Sequence, residues 1–226
     1  FDLEKGVLFR AGLSRLGGER HVLWMTMHHI VSDGWSIEVI ERELAAVYGA
    51  LERGEEAALA APAIQYADYA AWQRQWLSGA VLEEGLLYWR EQLAGVAPLE
   101  LPTDRGRPAV QSHRGGQVKF ACDEELRGKL EWLSRQEGCT LFATLHAAFV
   151  VLLQRTTQQE DICVGVPISG RHHPQLEGLV GFFVNMLVLR SRVSPEESFA
   201  QVLRQSRRRV LEAYGHPDVP FEKLVA

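Results

Sequence analysis

Met27-His28-His29-Ile30-Val31-Ser32-Asp33-Gly34-Trp35-Ser36 carries an alternating apolar strand, Val22 to Met27, directly into two histidines, an aspartate and a glycine. Histidine accepts and returns a proton near neutral pH, which makes it the usual general base of acyl transfer, provided that its ring faces a cavity. Successive strand side chains point to opposite faces, so His28 and His29 diverge if the strand continues through them, leaving one to reach substrate and one to serve the structure. Asp33 stands where the loop turns into the next helix and can either cap that helix or pair with a cation. Gly34 presents a backbone N–H with no side chain, suited to a developing negative charge. Spacing alone leaves catalysis and a chance turn both open. Neighbouring histidines on opposite faces do not share an ion, and no HExxH or paired-cysteine spacing accompanies them, so no metal site is expected.

The bulk properties frame that motif. With 226 residues, 46% of them hydrophobic and 23% charged, the chain buries a sizeable core in one large or two modest domains. A formal net charge of −5 gives no support for nucleic acid or an anionic membrane as partner, and the cluster Arg204, Arg207, Arg208 and Arg209 reads as a solvated helix face. Cys122, Cys139 and Cys163 are few, odd in number and widely spaced, which argues against a disulfide framework and fits a reducing cytoplasm. No apolar run approaches membrane-span length, and nothing at the start resembles a signal peptide. Phe1 in place of Met, and an end without a breaker at Ala226, read as a piece of something longer.

Working outward, Val7–Leu16, Gly17-Gly18 and His21–Met27 form a β-hairpin pattern, because paired glycines supply the positive φ of a tight turn. Ile37, Ile40, Leu44, Val47, Tyr48 and Leu51 then recur at helical spacing up to Gly54. A helix over Pro62–Leu77 puts Tyr66, Tyr69, Trp72 and Trp76 on one face as core, and Leu82 to Leu93 marks the next. Gly95–Gly116 is the richest breaker segment and the candidate lobe boundary. Beyond it come a strand Gln117–Cys122, a helix Asp123–Gln136, and a nearly all-apolar helix Leu141–Gln154 that Thr140 caps and that is expected to be buried. Strands Asp161–Pro167 and Asn185–Val193 bracket a Gly-rich loop. Ser194-Pro195-Glu196-Glu197 reads as a capping box opening a last helix to Tyr214, which buries Phe199, Val202, Leu203, Val210 and Leu211. Alternating strands and helices give an α/β or α+β class with mixed sheets.

Four stretches together resemble the condensation domains of nonribosomal peptide synthetases. Met27–Ser36 is similar to the HHxxxDG motif, and Tyr66-Ala67-Asp68-Tyr69-Ala70-Ala71-Trp72 to Y-x-D-[FY]-A-x-W. Val180-Gly181-Phe182-Phe183-Val184-Asn185 with Arg190 resembles G-x-F-V-N-T…R, and His216-Pro217-Asp218-Val219-Pro220-Phe221-Glu222 resembles H-Q-D-[VY]-P-F-E. Met186 stands where the family has Thr and Pro217 where it has Gln, departures that touch substrate fit more than chemistry. The family's two earliest motifs and its last have no counterpart, so the resemblance implies an internal fragment.

The resemblance implies a chloramphenicol acetyltransferase-like two-lobed α/β fold, of which residues 1–105 would end an incomplete N-terminal lobe and 106–226 begin the C-terminal one. It implies amide formation: the amine of an acceptor aminoacyl thioester attacks a donor acyl or peptidyl thioester, both presented on phosphopantetheine arms of upstream and downstream peptidyl carrier proteins, beside an adenylation domain. No directly bound cofactor or metal is implied, and no nucleic acid or membrane partner. His29 matches the catalytic second histidine, His28 the structural first, and Asp33 the ion-paired aspartate. Whether His29 acts as base or positions the amine stays open. Gly34 N–H is the candidate oxyanion contact. Arg171 is the first candidate partner of Asp33 and Arg190 the second, with a surface loop arginine as the alternative for Arg171. Trp35, Ser36 and Asn185 are candidates for substrate, pantetheine or interlobe contact, Asn185 because an amide in an apolar run demands a partner. Tyr66, Asp68, Tyr69, Trp72, Asp218 and Glu222 are expected to be structural, and His172-His173 a solvent-exposed loop. An epimerisation domain, or a silent docking module that recruits a partner enzyme, are the competing functions.

Overall fold

A computed structural model describes residues 1–225 apart from Arg107, Gln111 and His113; these three fall in the breaker segment Gly95–Gly116, so that candidate boundary lies partly outside the described residues, as does the terminal Ala226. The elements run β1 Phe9–Gly17, β2 Arg20–Met27, a 3-10 turn His29–Val31, α1 Gly34–Glu52, α2 Tyr66–Trp76 and α3 Gly79–Leu93. After these come α4 Glu124–Gln136, α5 Leu141–Thr157, β3 Asp161–Ile168, a short 3-10 turn Pro174–Leu176, β4 Asn185–Arg192, α6 Phe199–Tyr214 and α7 Glu222–Val225. The mixed α/β class expected from the sequence is the class observed. No single helix among the described residues is long and apolar enough to cross a membrane.

The chain divides into two compact units, each discontinuous in sequence: residues 1–83 with 167–185, and 84–166 with 186–225. In the first, β1 and β2 pair antiparallel from Phe9 opposite Met27 to Arg15 opposite His21, turning through Gly17 and Gly18 at positive φ. The hairpin delivers the chain to His28. Helix α2 starts at Tyr66 rather than Pro62; the Asp68 carboxylate accepts the Gln65 N–H at 2.8 Å and fixes that start four residues later. Its aromatic face is split. Tyr66 and Tyr69 pack on Phe183 in a small core with Leu176 and Leu179, whereas Trp72 and Trp76 stack on each other at the surface.

In the second unit, Thr140 caps α5 through the Ala143 N–H, and the buried face of α5 joins Ile162, Val193, Val202 and Leu203 in the main core. Strands β3 and β4 pair. Three expectations fail here. The segment Gln117–Cys122 forms no strand: Val118 and Phe120 are each 90% exposed, and an alternating pattern becomes a strand only where a neighbour supplies hydrogen bonds. Helix α5 is buried on one face only, with Phe142, Leu145, Phe149 and Leu152 exposed at i, i+3, i+7 and i+10. Helix α6 opens at Ser198, whose hydroxyl and Gln201 side chain form the capping box, while Ser194 to Glu197 fold as a turn in which the Glu197 carboxylate accepts the Ser194 N–H. Consequently Phe199 and Leu211 are exposed, and Ser206 and Ala213 take the buried positions.

Candidate active site

Strand β2 ends at Met27, and the His28 N–H donates to the Leu8 carbonyl at 2.8 Å, closing the hairpin. The His28 ring then turns back: its Nδ1 accepts the Ile30 N–H at 3.0 Å and caps the 3-10 turn. Accepting that hydrogen bond requires an unprotonated Nδ1, so His28 carries its proton on Nε2 and is spent on structure. His29 is the first residue of the turn and exposed; its imidazole meets the edge of Phe182 with centroids 5.1 Å apart and planes at 85°, and makes no hydrogen bond among the described residues. The two rings are separated by the turn, not by strand alternation, which stops before them.

Asp33 both caps a helix and pairs with a cation. Its Oδ1 accepts the Ser36 N–H at 2.8 Å and the Ser36 hydroxyl at 2.7 Å, while Oδ2 accepts the Phe183 N–H at 3.0 Å. Arg171 Nη2 reaches Oδ1 at 3.0 Å and Oδ2 at 3.4 Å, with both side chains withdrawn from water. Burial pushes the Asp33 carboxyl up, but donation from the Ser36 hydroxyl, the Phe183 and Ser36 amides and Arg171 outweighs it and holds the group below the usual carboxylate value. The second amino group of the guanidinium is occupied too: Nη1 donates to the Leu176 and Leu179 carbonyls, and Cζ lies 4.1 Å from the Phe183 ring centroid, while Nε is buried without a partner among the described residues. Such a cation in a low-dielectric interior is tolerable only because it is paired and hydrogen-bonded.

Ser36 is the hub of this cluster. Its hydroxyl oxygen accepts from Arg171 Nη2 and from the Gly181 N–H, each at 3.0 Å, and its single proton serves either Asp33 Oδ1 or the Gly181 carbonyl at 2.9 Å. Two glycines let the second loop approach this closely. Gly170 takes φ +65°, and a Cβ there would overlap the Phe183 carbonyl oxygen; one at Gly181 would overlap the Tyr66 ring. The Tyr66 hydroxyl donates to the Phe182 carbonyl at 2.8 Å, and the Trp35 indole N–H to the Glu177 carbonyl at 2.9 Å. Gly34 opens α1 with its N–H unpartnered among the described residues, and a Cβ on it would meet nothing within 4 Å.

Of the residues singled out in the sequence, His28, His29, Asp33, Gly34, Trp35 and Ser36 lie on one turn, and Arg171 closes on them. Arg190 does not: it pairs with Asp161 and donates to the Gln92 and Ala94 carbonyls, tying β4 to β3 and to the end of α3, and so leaves Arg171 as the partner of Asp33. Asn185 opens β4, half-buried, and His172 and His173 are exposed. Not anticipated from sequence are the Ser36 hub and the roles of Phe182 and the Tyr66 hydroxyl, whose only signal is an aromatic pair beside glycine in the Gly181-Phe182-Phe183 run. Among the described residues no cluster of three His, Cys, Asp or Glu side chains is placed to hold a metal ion.

The profile of the Condensation domain family matches residues 1–226, and the chain belongs to that family, the condensation domains of nonribosomal peptide synthetases. It is 50% identical over all 226 residues to one of the linear gramicidin synthase polypeptides of Brevibacillus parabrevis, of which it spans 3%. Among solved structures it is similar to the X-domain from teicoplanin biosynthesis, at TM-score 0.90 and 33% identity over 99% of this chain and 51% of that one. The first condensation domain of the CDA synthetase matches at TM-score 0.77 and 28% identity over 96% of this chain and 48% of that one. The chain thus spans about half of each solved chain, and its α/β architecture is that of the chloramphenicol acetyltransferase-like fold.

Proposed function

We propose that this chain contributes the catalytic histidine loop for amide bond formation between two carrier-bound thioesters. One observation carries the reading: the His29 imidazole is exposed and, among the described residues, free of hydrogen bonds, on a turn whose Asp33 and Ser36 side chains are locked by a buried network. An acceptor amine beside His29 attacks the donor thioester carbonyl; the C–N bond forms, the C–S bond breaks, and the amine proton passes by way of the imidazole to the departing pantetheine thiolate. A thioester is already activated, so holding an uncharged amine at attack distance supplies much of the rate and proton transfer the rest. The Gly34 N–H at the positive end of α1 suits the tetrahedral oxyanion, and the open space around its Cα leaves room for a substrate. Asp33 and Arg171 act on the loop, not on the substrate.

The partners on this reading are the upstream and downstream peptidyl carrier proteins, whose phosphopantetheine arms deliver the substrates, and a neighbouring adenylation domain in the cytoplasm. Residues 1–105 and 106–226 would belong to the two lobes of the complete domain, with Trp35 and Asn185 in contact with pantetheine or with the opposite lobe.

A second reading is a docking module that recruits a partner enzyme, favoured by the likeness to the X-domain from teicoplanin biosynthesis, which is also solved in complex with OxyB. The intact His28-His29-Asp33-Gly34 constellation argues for catalysis instead. The test is to load donor and acceptor carrier proteins, add the parent synthetase module, and follow dipeptidyl thioester by intact-protein mass spectrometry. Product lost in His29→Ala supports the reading; product unchanged in that variant overturns it, and α-proton exchange without peptide formation assigns an epimerase.

A further inference from the structure

We propose that Phe182 is a positioning residue for the His29 imidazole, and that the Tyr66 hydroxyl holds Phe182 in place; the inference rests on the catalytic role of His29 given above. A catalytic imidazole is ordinarily oriented by a carboxylate or carbonyl accepting from its second ring nitrogen. His29 has no such partner among the described residues: the nearby carboxylate, Asp33, is filled by Ser36, Arg171 and the Phe183 amide. What bears on the ring is Phe182, perpendicular at 85° with centroids 5.1 Å apart, an edge-to-face arrangement that favours one ring orientation over its rotamers.

Phe182 is itself unusually well held for a half-exposed loop residue. The amide before it, Gly181 N–H, donates to Ser36 Oγ at 3.0 Å; the amide after it, Phe183 N–H, donates to Asp33 at 3.0 Å; and its own carbonyl accepts from Tyr66 Oη at 2.8 Å. Three consecutive residues are thus fixed by hydrogen bonds from three different side chains, two of which belong to the same turn as His29. The clamp leaves the Phe182 ring as its one unbonded product. A loop fixed only for stability needs no aromatic ring at its exposed apex, 37% accessible to water, whereas one that sets the angle of a neighbouring imidazole does.

The experiment compares Phe182→Ala, Phe182→Tyr, Tyr66→Phe and His29→Ala in the parent module by single-turnover dipeptide formation, with the acceptor carrier protein titrated. Loss of a fixed near-attack geometry predicts a rate at saturating carrier lowered about 10- to 100-fold in Phe182→Ala, with the half-saturating carrier concentration unchanged. Phe182→Tyr, which keeps the ring, restores most of the rate, and Tyr66→Phe falls between. In histidine-labelled protein the His29 ring resonance, assigned by its disappearance in His29→Ala, shifts in Phe182→Ala and stays near its native position in Phe182→Tyr. An undiminished rate in Phe182→Ala, an effect confined to half-saturation, or a Tyr variant as slow as Ala overturns the proposal. If His29→Ala itself forms product at the native rate, it is the catalytic role of His29 that fails; loss in His29→Ala with none in Phe182→Ala removes the positioning role alone.

Discussion

The Asp33 carboxylate and the Arg171 guanidinium meet at 3.0 Å across 138 residues of sequence, with side chains 0% and 1% exposed. A pair this deep has a steep asymmetry: keeping both partners is tolerable, and keeping one is not, because the survivor is a buried uncompensated charge. Arg171→Met or Asp33→Ala is therefore expected to destabilise the protein by about 3–5 kcal/mol, while the double variant costs clearly less than the sum. Urea unfolding of the four corners of this cycle measures it; additive losses would mean that the two charges are not coupled.

Three groups give the stability an acid-side limit. Asp33 is held below its ordinary value of 3.8 against burial by its donors, and Asp161 below 3.8 by the Arg190 guanidinium. A lowered carboxyl contributes stability that is present above pH 3.8 and lost as pH falls through its folded value. His146 adds to this from higher pH. Burial lowers it from 6.5, so the unfolded chain binds the proton more readily, and stability is complete above pH 6.5 and declines as pH drops. The urea midpoint is expected to fall from about pH 7 to about pH 5, and His146→Phe to flatten that interval while leaving the steeper loss below about pH 4.

The two histidines are expected to separate by assay. His28→Ala removes the acceptor of the Ile30 amide and costs about 1 kcal/mol, the usual value of a lost cap. His29→Ala removes no hydrogen bond seen among the described residues and is expected to leave thermal stability within about 0.5 kcal/mol while abolishing product. A Tm that falls more for His29→Ala than for His28→Ala would reverse the assignment.

Gly170→Ala is expected to be among the most damaging small substitutions. The residue holds φ +65°, and the added Cβ would overlap the Phe183 carbonyl oxygen, so left-handed strain on the order of 1–3 kcal/mol comes with displacement of the segment that donates to Asp33. Gly34→Ala keeps its backbone N–H on a helical residue with open space around it, and is expected to keep native stability but lose product formation because the added Cβ fills the room left for a substrate. Thermal unfolding and dipeptide formation, read side by side, distinguish the two.

Local chemistry was legible in the sequence. The Gly17-Gly18 hairpin turn, the Thr140 and Asp33 helix starts and the strands around Asp161 and Asn185 follow from turn propensity, capping and two-residue alternation, which act within a few residues. What was not legible depended on distant partners. Gln117–Cys122 alternates like a strand but has no neighbour among the described residues, and Ser194–Glu197 offered a capping box that Ser198 and Gln201 take over. In the site, Asp33 left cap and ion pair open and does both. Ser36 gave no sign of the four polar contacts of its hydroxyl, because three of them, to Arg171 and to both Gly181 backbone groups, reach 135 to 145 positions away.

The clamp between Ser36, Asp33 and the Gly181–Phe183 segment also sets a clock. The unit that contains it is interrupted by residues 84–166, so a growing chain makes His29 well before the second loop and cannot lock its turn until Phe183 has left the ribosome. At roughly 5–20 residues per second, the 150 residues between Asp33 and Phe183 take on the order of ten seconds, during which the Asp33 carboxylate has neither its Arg171 nor its Phe183 donor. A nascent histidine loop is therefore chemically complete but geometrically unset until the second loop has been made, and competence arrives with that loop.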